Sequence, residues 1–339
     1  LTVVLAGLSP FVVLQSGSFM SHPVSLFFLS WAYYAAVRFS KRPTGGWSAA
    51  LFGLLSLAFA TREFAALLFG VPLVVWTVIP ALRVLPDWKS RYVRLAPGIA
   101  LGGIGIAGYL LYNAALTGDP FLPPRDVVNA FDRLGFGDGI GFYGRHTFAA
   151  GLMGIDEMLT SLQFTLFGWP YWFSLAFLPL PFLLRRSNRW DRLNLVIFLV
   201  FLAGYTTYFY HGIALGPRYL YESLPALIQL TARGVTVLAE ATGAIAVRRY
   251  RLDTGWPATL TCVAALVACD ILYFMPRQLE LYRQYTYIPA VPRLDLTPVY
   301  EPQQRHAVIV ALSARFYQTT LFPLNSPMLD GDVVWAYMA

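Results

Sequence analysis

The stretch Val24-Ser-Leu-Phe-Phe-Leu-Ser-Trp-Ala-Tyr-Tyr-Ala-Ala-Val37 is apolar from end to end, and it runs straight into Arg38-Phe-Ser-Lys41-Arg42. A second apolar run, 47–60, begins five residues later. The same alternation recurs along the chain. Arg83-Lys89-Arg91-Arg94, Arg185-Arg186-Arg189-Arg192 and Arg248-Arg249-Arg251 each fall between two long apolar runs, on every second connection. The four clusters hold more than half of the 25 Lys and Arg residues. Positive charge beside membrane spans stays in the cytoplasm. The pattern therefore predicts an all-α polytopic membrane protein and sets its direction: the clusters inside, and the histidines, most of the acids and the Gly/Pro-rich loops outside.

Composition agrees. The chain is 57% hydrophobic and 13% charged, with a mean hydropathy of +0.55, whereas a soluble domain carries about 25% charged residues. The net charge of +7 is read as an orientation signal. The basic residues are spread over four short loops with no reading element between them, which argues against a nucleic-acid partner. Cys262 and Cys269 lie on one expected span without disulfide or metal spacing.

A helix needs about 20 apolar residues to cross the hydrocarbon core. On that basis the expected spans are 1–15, 24–37, 47–60, 65–82, 95–116, 169–184, 193–210, 219–238 and 257–274, about nine in all. The chain opens at Leu1 inside an apolar run, so the first span is expected to be incomplete. Residues 1–274 are read as the transmembrane domain, with an outer loop at 118–152 and an interfacial amphipathic helix at 152–167. Residues 275–339 are read as the start of a small extracytoplasmic α/β segment, with strands near 306–312 and 332–337. Gly98 and Gly102 form a small-xxx-small pair suited to close helix packing. Two GxGxxG matches, Gly103–Gly108 and Gly139–Gly144, lack the preceding strand a dinucleotide site requires.

Four outward connections carry the candidate chemistry. His22, before Pro23, sits at a helix start that Ser21 is placed to cap. It is either an interfacial helix-end residue or a contact to a headgroup or metal. Arg62-Glu63 is a tight polar turn between apolar spans, costly unless it faces protein or a water-filled cavity. Either the two neutralise each other or Arg62 binds an anion. The long loop holds Asp119 and His146, and Asp156-Glu157 near the start of the following helix are either favoured by its dipole or available as a base or a divalent-metal pair. The fourth connection is His211-Gly-Ile-Ala-Leu-Gly216-Pro217-Arg218-Tyr219-Leu-Tyr221-Glu222. Gly-Pro signals a turn into a helix whose first turn carries Arg218, a phosphate-binding arrangement. Arg218 and Glu222, four apart, are also spaced to pair with each other.

These residues, in this order and on one side of the membrane, resemble the GT-C superfamily of membrane glycosyltransferases, in particular bacterial members of the family 39 type, related to the protein O-mannosyltransferases and the aminoarabinose transferases. The matching stretches are Leu8-Ser-Pro-Phe with Gly17-Ser-Phe-Met-Ser-His22-Pro23, Thr61-Arg62, Tyr112-Asn113 with Thr117-Gly118-Asp119-Pro120-Phe121, Leu166-Phe167-Gly168-Trp169-Pro170, and Gly216-Pro217-Arg218-Tyr219 with Pro225. The resemblance implies a GT-C-like bundle in a bacterial plasma membrane whose extracytoplasmic face moves a sugar from a polyprenyl-phosphate carrier to a protein, lipid or glycan acceptor. It also implies an essential acid in a first outer loop, which falls ahead of Leu1, and many members carry Asp or Glu where His22-Pro23 stand. Such transfer needs a base for the acceptor's proton and positive charge for the leaving phosphate. Arg218 and Arg62, helped by His22, His211, Tyr219 and Glu222, are the expected phosphate and substrate contacts. The competing readings are a transporter or lipid flippase and a non-catalytic membrane scaffold. A transporter calls for repeated halves and broken helices, and no internal repeat is visible.

Overall fold

The computed structural model describes residues 1–18, 20–141, 143–170, 173–209, 216–250, 255–284, 307–311, 325–326 and 328–337. The chain is mostly helical with little sheet, and it divides into two units, Leu1–Met275 and Pro276–Ala339.

The first unit opens with α1 (Thr2–Gly7) and α2 (Pro10–Ser16). The expected first span is broken here because Pro10 occupies N1 of a new helix and the Ser9 side chain accepts from Val12 N. Four long helices follow: α3 (His22–Lys41), α4 (Gly45–Thr61), α5 (Glu63–Arg83) and α6 (Trp88–Thr117). Their caps are legible in the chain. Thr44 accepts from Trp47 N and Asp87 from Ser90 N, while Gly118 ends α6 in the left-handed conformation at φ 80°. The outer loop holds α7 (Pro124–Val128) and a two-residue ladder of β1 (Gly137–Asp138) and β2 (Arg145–His146). Then come α8 (Phe148–Thr165), α9 (Phe173–Ala176), α10 (Leu180–Leu183), α11 (Arg189–Tyr205), a 3₁₀ turn (Arg218–Ser223), α12 (Leu224–Tyr250), α13 (Gly255–Cys269) and a π turn (Asp270–Phe274); α14 (Met275–Gln284) belongs, but for Met275, to the second unit.

The buried core runs between α3, α5, α11 and α12, with Leu29, Phe39, Phe69, Leu73, Phe201, Leu227 and Val235 all sealed from solvent. Buried polar pairs tie the same helices: Tyr33 Oη donates to Asn194 Oδ1 over 3.0 Å, and Arg233 Nε lies 3.6 Å from the buried Asp191. α4 packs between α3 and α6. It approaches α6 so closely that a Cβ on Gly98 would enter Ser48 and one on Gly105 would enter Ser56. Small residues at these positions replace side-chain bulk with backbone contact, the usual basis of helix association in lipid.

Three helices among the described residues are long and apolar enough to cross a membrane: α5, α6 and the stretch Gly255–Tyr282. α4 is apolar but shorter. Besides the broken first span, other boundaries depart from the expectation: α11 ends at Tyr205 and α12 begins only at Leu224, after the 3₁₀ turn. The span expected at 169–184 is interrupted: only the one-turn helices α9 and α10 form, because Pro170, Pro179 and Pro181 remove N–H donors along the run. The interfacial helix begins at Phe148, four residues early, because Thr147 caps it by accepting from Ala150 N over 3.1 Å.

Antiparallel hairpins bring the basic clusters at 38–42, 83–94 and 185–192 toward one end; the last residue of the fourth, Arg251, lies outside the described residues. Arg94 Nη1 donates to Pro43 O. Arg233 Nη2 donates to Arg186 O, and Arg186 pairs with Glu240 at 3.4 Å. The loop 118–147, the start of α3 and the α4–α5 connection occupy the opposite end.

In the second unit, β3 (Ala307–Ala311) and β4 (Val333–Tyr337) form a parallel pair in register from Ala307↔Val333 to Ala311↔Tyr337. The Asn325 side chain bonds both backbone groups of Trp335, accepting at 2.7 Å and donating at 2.8 Å.

Candidate functional site

The end opposite the basic clusters is organised around one carboxylate. Glu222 lies in the 3₁₀ turn ahead of α12 and has no exposed surface. Its Oε1 is 2.9 Å from His22 Nδ1 in the first turn of α3 and 2.9 Å from Arg62 Nε at the junction of α4 and α5. With Nδ1 protonated, His22 donates to the carboxylate. Arg62 also reaches Ser21, Nη1 donating to Oγ over 3.3 Å. Ser21 precedes α3 but its hydroxyl does not close the helix end; it serves Arg62 instead. Three segments distant in the chain are thus stapled by one buried charge. Oε2 is buried with no hydrogen-bond partner.

The geometry corrects two local readings. Glu222 turns to His22 and Arg62 and not to Arg218, its neighbour four residues back; in a 3₁₀ turn the residues that eclipse are three apart. The Arg62-Glu63 pair separates too, because the backbone at Arg62 (φ −152°, ψ 90°) is extended between two helices and sends adjacent side chains apart. Glu63 instead receives the Tyr109 hydroxyl and lies 3.8 Å from Arg125 Nη1.

Arg218 sits at the start of the 3₁₀ turn, half-buried, its guanidinium 5.3 Å from the Tyr219 ring centroid. The turn is six residues long, and its first N–H groups are used internally, Arg218 N to Gly216 O and Leu220 N to Pro217 O. Two of the N–H groups expected to face an anion at a helix start are therefore taken up internally. Tyr219 is a packing residue as well. It stacks on Tyr205 with ring centroids 5.1 Å apart and meets Tyr208 edge-on at 5.2 Å, joining the turn to the end of α11.

Beside the buried group opens a cavity of about 580 Å³. Arg62, Arg125 and Arg133 line it together with Glu63, Asp126 and Asp132, and Tyr109, Tyr112, Tyr205 and Tyr208 supply aromatic walls. Arg125 lies 3.0 Å from Asp126 Oδ1. Burial lowers the Arg125 pKa, but Glu63 and Asp126 raise it more, so it stays charged. The Tyr208 hydroxyl donates to Asp132. A second cavity, about 480 Å³, runs along α4, α5 and α6 and is apolar, lined by Phe52, Leu55, Gly70, Val74, Gly102 and Ile106 among others. Phe59 and Leu67 belong to both cavities, so the apolar groove meets the polar one at those two side chains.

The remaining candidates have structural partners or lie apart. Asp119 closes a turn by accepting from Phe121 N over 2.8 Å. His146 is buried, with Nε2 3.1 Å from Thr206 O and its ring stacked on Phe136, which pins the loop to α11. Gly139, Gly141 and Gly144 all take positive φ in that loop, which is turn chemistry. Asp156 and Glu157 are exposed in the middle of α8. With the helix starting at Phe148 they are beyond reach of its N-terminal dipole. His211 lies outside the described residues. No three His, Cys, Asp or Glu side chains among the described residues come together as a metal set.

The chain matches no family model, no curated protein and no solved structure at a significant level.

Proposed function

We propose that the protein is a membrane glycosyltransferase of GT-C type, with about nine spans and its working end on the extracytoplasmic face of a bacterial plasma membrane. The observation that carries this reading is the junction at Phe59 and Leu67 of an apolar groove with a cavity holding three arginines and three carboxylates. A ligand that fits both is amphipathic: a hydrocarbon chain in the groove, an anionic and hydroxyl-rich head in the cavity. A polyprenyl-phosphate sugar has that chemistry. Arginines stabilise the phosphate as it leaves, and carboxylates with tyrosines hydrogen-bond sugar hydroxyls. Arg62 and Arg125 line the cavity and are better placed for the phosphate than Arg218, which is not among its lining residues. The alternation of basic clusters supports the orientation.

The interrupted segment at α9 and α10 favours a second reading, a lipid flippase, since transporters build sites from broken helices. One experiment separates them. The full-length protein is placed in vesicles with a panel of polyprenyl-phosphate sugars and envelope acceptors. Release of polyprenyl phosphate coupled to labelling of an acceptor is expected. Movement of the lipid between leaflets without release would establish the flippase, and neither outcome would leave both readings rejected.

A further inference from the structure

We propose that the last turns of α3, with the α3–α4 turn and the start of α6, form a binding site for an anionic phospholipid of the cytoplasmic leaflet, its phosphate held at Arg38. The site lies at the end opposite the cavity. It rests on the membrane reading and its orientation, and not on the glycosyltransferase reading. It comes from comparing the basic clusters at that end. Around 185–192 the charges are spent on the protein itself. Arg186 pairs with Glu240, Arg233 lies 3.6 Å from Asp191, and Arg189 stacks on Trp190 and donates to Trp76 O.

The clusters at 38–42 and 83–94 differ. None of their Lys and Arg side chains has a carboxylate within ion-pair distance among the described residues. Between Arg38 and Arg94 the chain carries only two acids, Glu63 and Asp87. Glu63 is at the other end, and Asp87 caps α6 by accepting from Ser90 N over 2.7 Å. Arg94 Nη1 donates to Pro43 O, which ties the start of α6 to the α3–α4 turn, and Arg91 Nη2 donates to Leu85 O over 3.2 Å. A backbone carbonyl orients an arginine without cancelling its charge. The two clusters therefore make one positive patch that the protein leaves uncompensated.

Charge alone would suit any anion; α3 supplies an apolar part beside it. Val24, Phe27, Trp31, Tyr34 and Arg38 follow one another at three- and four-residue spacing, so they share one helix face. The first four are exposed, and Arg38 ends the stripe. Trp31 meets Tyr34 edge-on at 5.8 Å, and Tyr34 meets Trp47 of α4 at 5.8 Å. The Arg38 guanidinium lies 5.1 Å from the Trp47 ring centroid and 5.9 Å from that of Tyr34. Two rings thus seat the cation and leave its charge intact. Trp and Tyr side chains settle at the headgroup level of a bilayer, and basic residues just cytoplasmic of a span attract anionic lipid. An acyl chain along Trp31, Phe27 and Val24 places its phosphate at Arg38, with Lys41 and Arg42 following in sequence. A soluble anion or a nucleic acid would leave the stripe unused.

The test titrates the full-length, delipidated protein in detergent with phosphatidylglycerol or phosphatidylcholine and reads the first bound lipid by native mass spectrometry. Phosphatidylglycerol is expected to bind more tightly. Arg38→Gln should weaken it about 5-fold, the worth of one basic residue near a membrane surface, and leave phosphatidylcholine unchanged. Arg38→Lys keeps the charge but stacks less well, so it should recover part of the loss. Trp31→Ala should weaken both lipids, because it removes contact with the chain. Arg186→Gln, in the paired cluster, should leave the preference as it is. Equal binding of the two lipids by wild-type protein overturns the proposal, as does an Arg38→Gln protein with the wild-type preference. Trp31→Ala without effect on either lipid would make Arg38 a site for anions in general and also overturns it. So does an Arg38→Gln loss that comes with a lowered melting temperature and no recovery by Arg38→Lys, which makes Arg38 structural. Sugar transfer by Arg38→Gln is expected at the wild-type rate, so this proposal and the transferase reading stand or fall separately.

Discussion

Two sets of ionic contacts lie side by side at the same end of this bundle, and they are built oppositely. The Glu222 set is built on a sealed carboxylate, joins residues up to 200 apart in sequence, and draws its members from helix ends. The Arg125 set is half-open, draws on a loop helix and the first turn of α5, and lines the cavity. A buried charge left without its partner is costly, whereas an exposed pair contributes little. The first set therefore holds the architecture and the second is free to exchange partners with a ligand. Arg62 is the hinge of the comparison, since it pairs with Glu222 and also lines the cavity.

The sharpest way to break this division is Glu222→Ala. It strands His22 and Arg62 and should cost about 3–5 kcal/mol of stability, the range for breaking a buried pair, read as a lowered melting temperature in detergent. A loss as small as that of an exposed pair would place Glu222 with the surface charges. Next in size, Arg125→Ala should leave stability within about 1 kcal/mol yet weaken polyprenyl phosphate binding by about 1.5–3 kcal/mol. Equal binding by mutant and wild type would remove Arg125 from the ligand. Arg218→Ala should weaken the same binding less than Arg125→Ala does; the reverse order would restore Arg218 as the main phosphate contact.

The helices and their hairpin order were legible from apolar runs separated by basic clusters. So were the two strands of the second unit. The prolines at 170, 179 and 181 were equally visible, yet hydropathy alone read through them as one span. The site was legible in its members but not in its pairing. His22, Arg62 and Glu222 were each singled out, but helix spacing rules see only neighbours three or four apart, and the His22–Glu222 contact joins residues 200 apart. Asp132 and Arg125 carried no local signal, because an acid or an arginine in a long loop reads as solvated. Their meaning comes from the backbone ties that fold the loop against α11, which no spacing pattern encodes. The groove was invisible for a similar reason: it exists because glycines let α4 and α6 close up.

α12 has one more consequence. Its 27 residues make a rod about 40 Å long at 1.5 Å per residue, longer than the roughly 30 Å hydrocarbon layer. One end is seated beside Glu222, and Arg186 touches Glu240 far along it. The rod is tied along its length by Arg233 to Asp191 and by Glu240 to Arg186, so a fluorophore near Glu240 would register whether an event at the Glu222 contacts shifts the whole helix, without any label near the cavity itself.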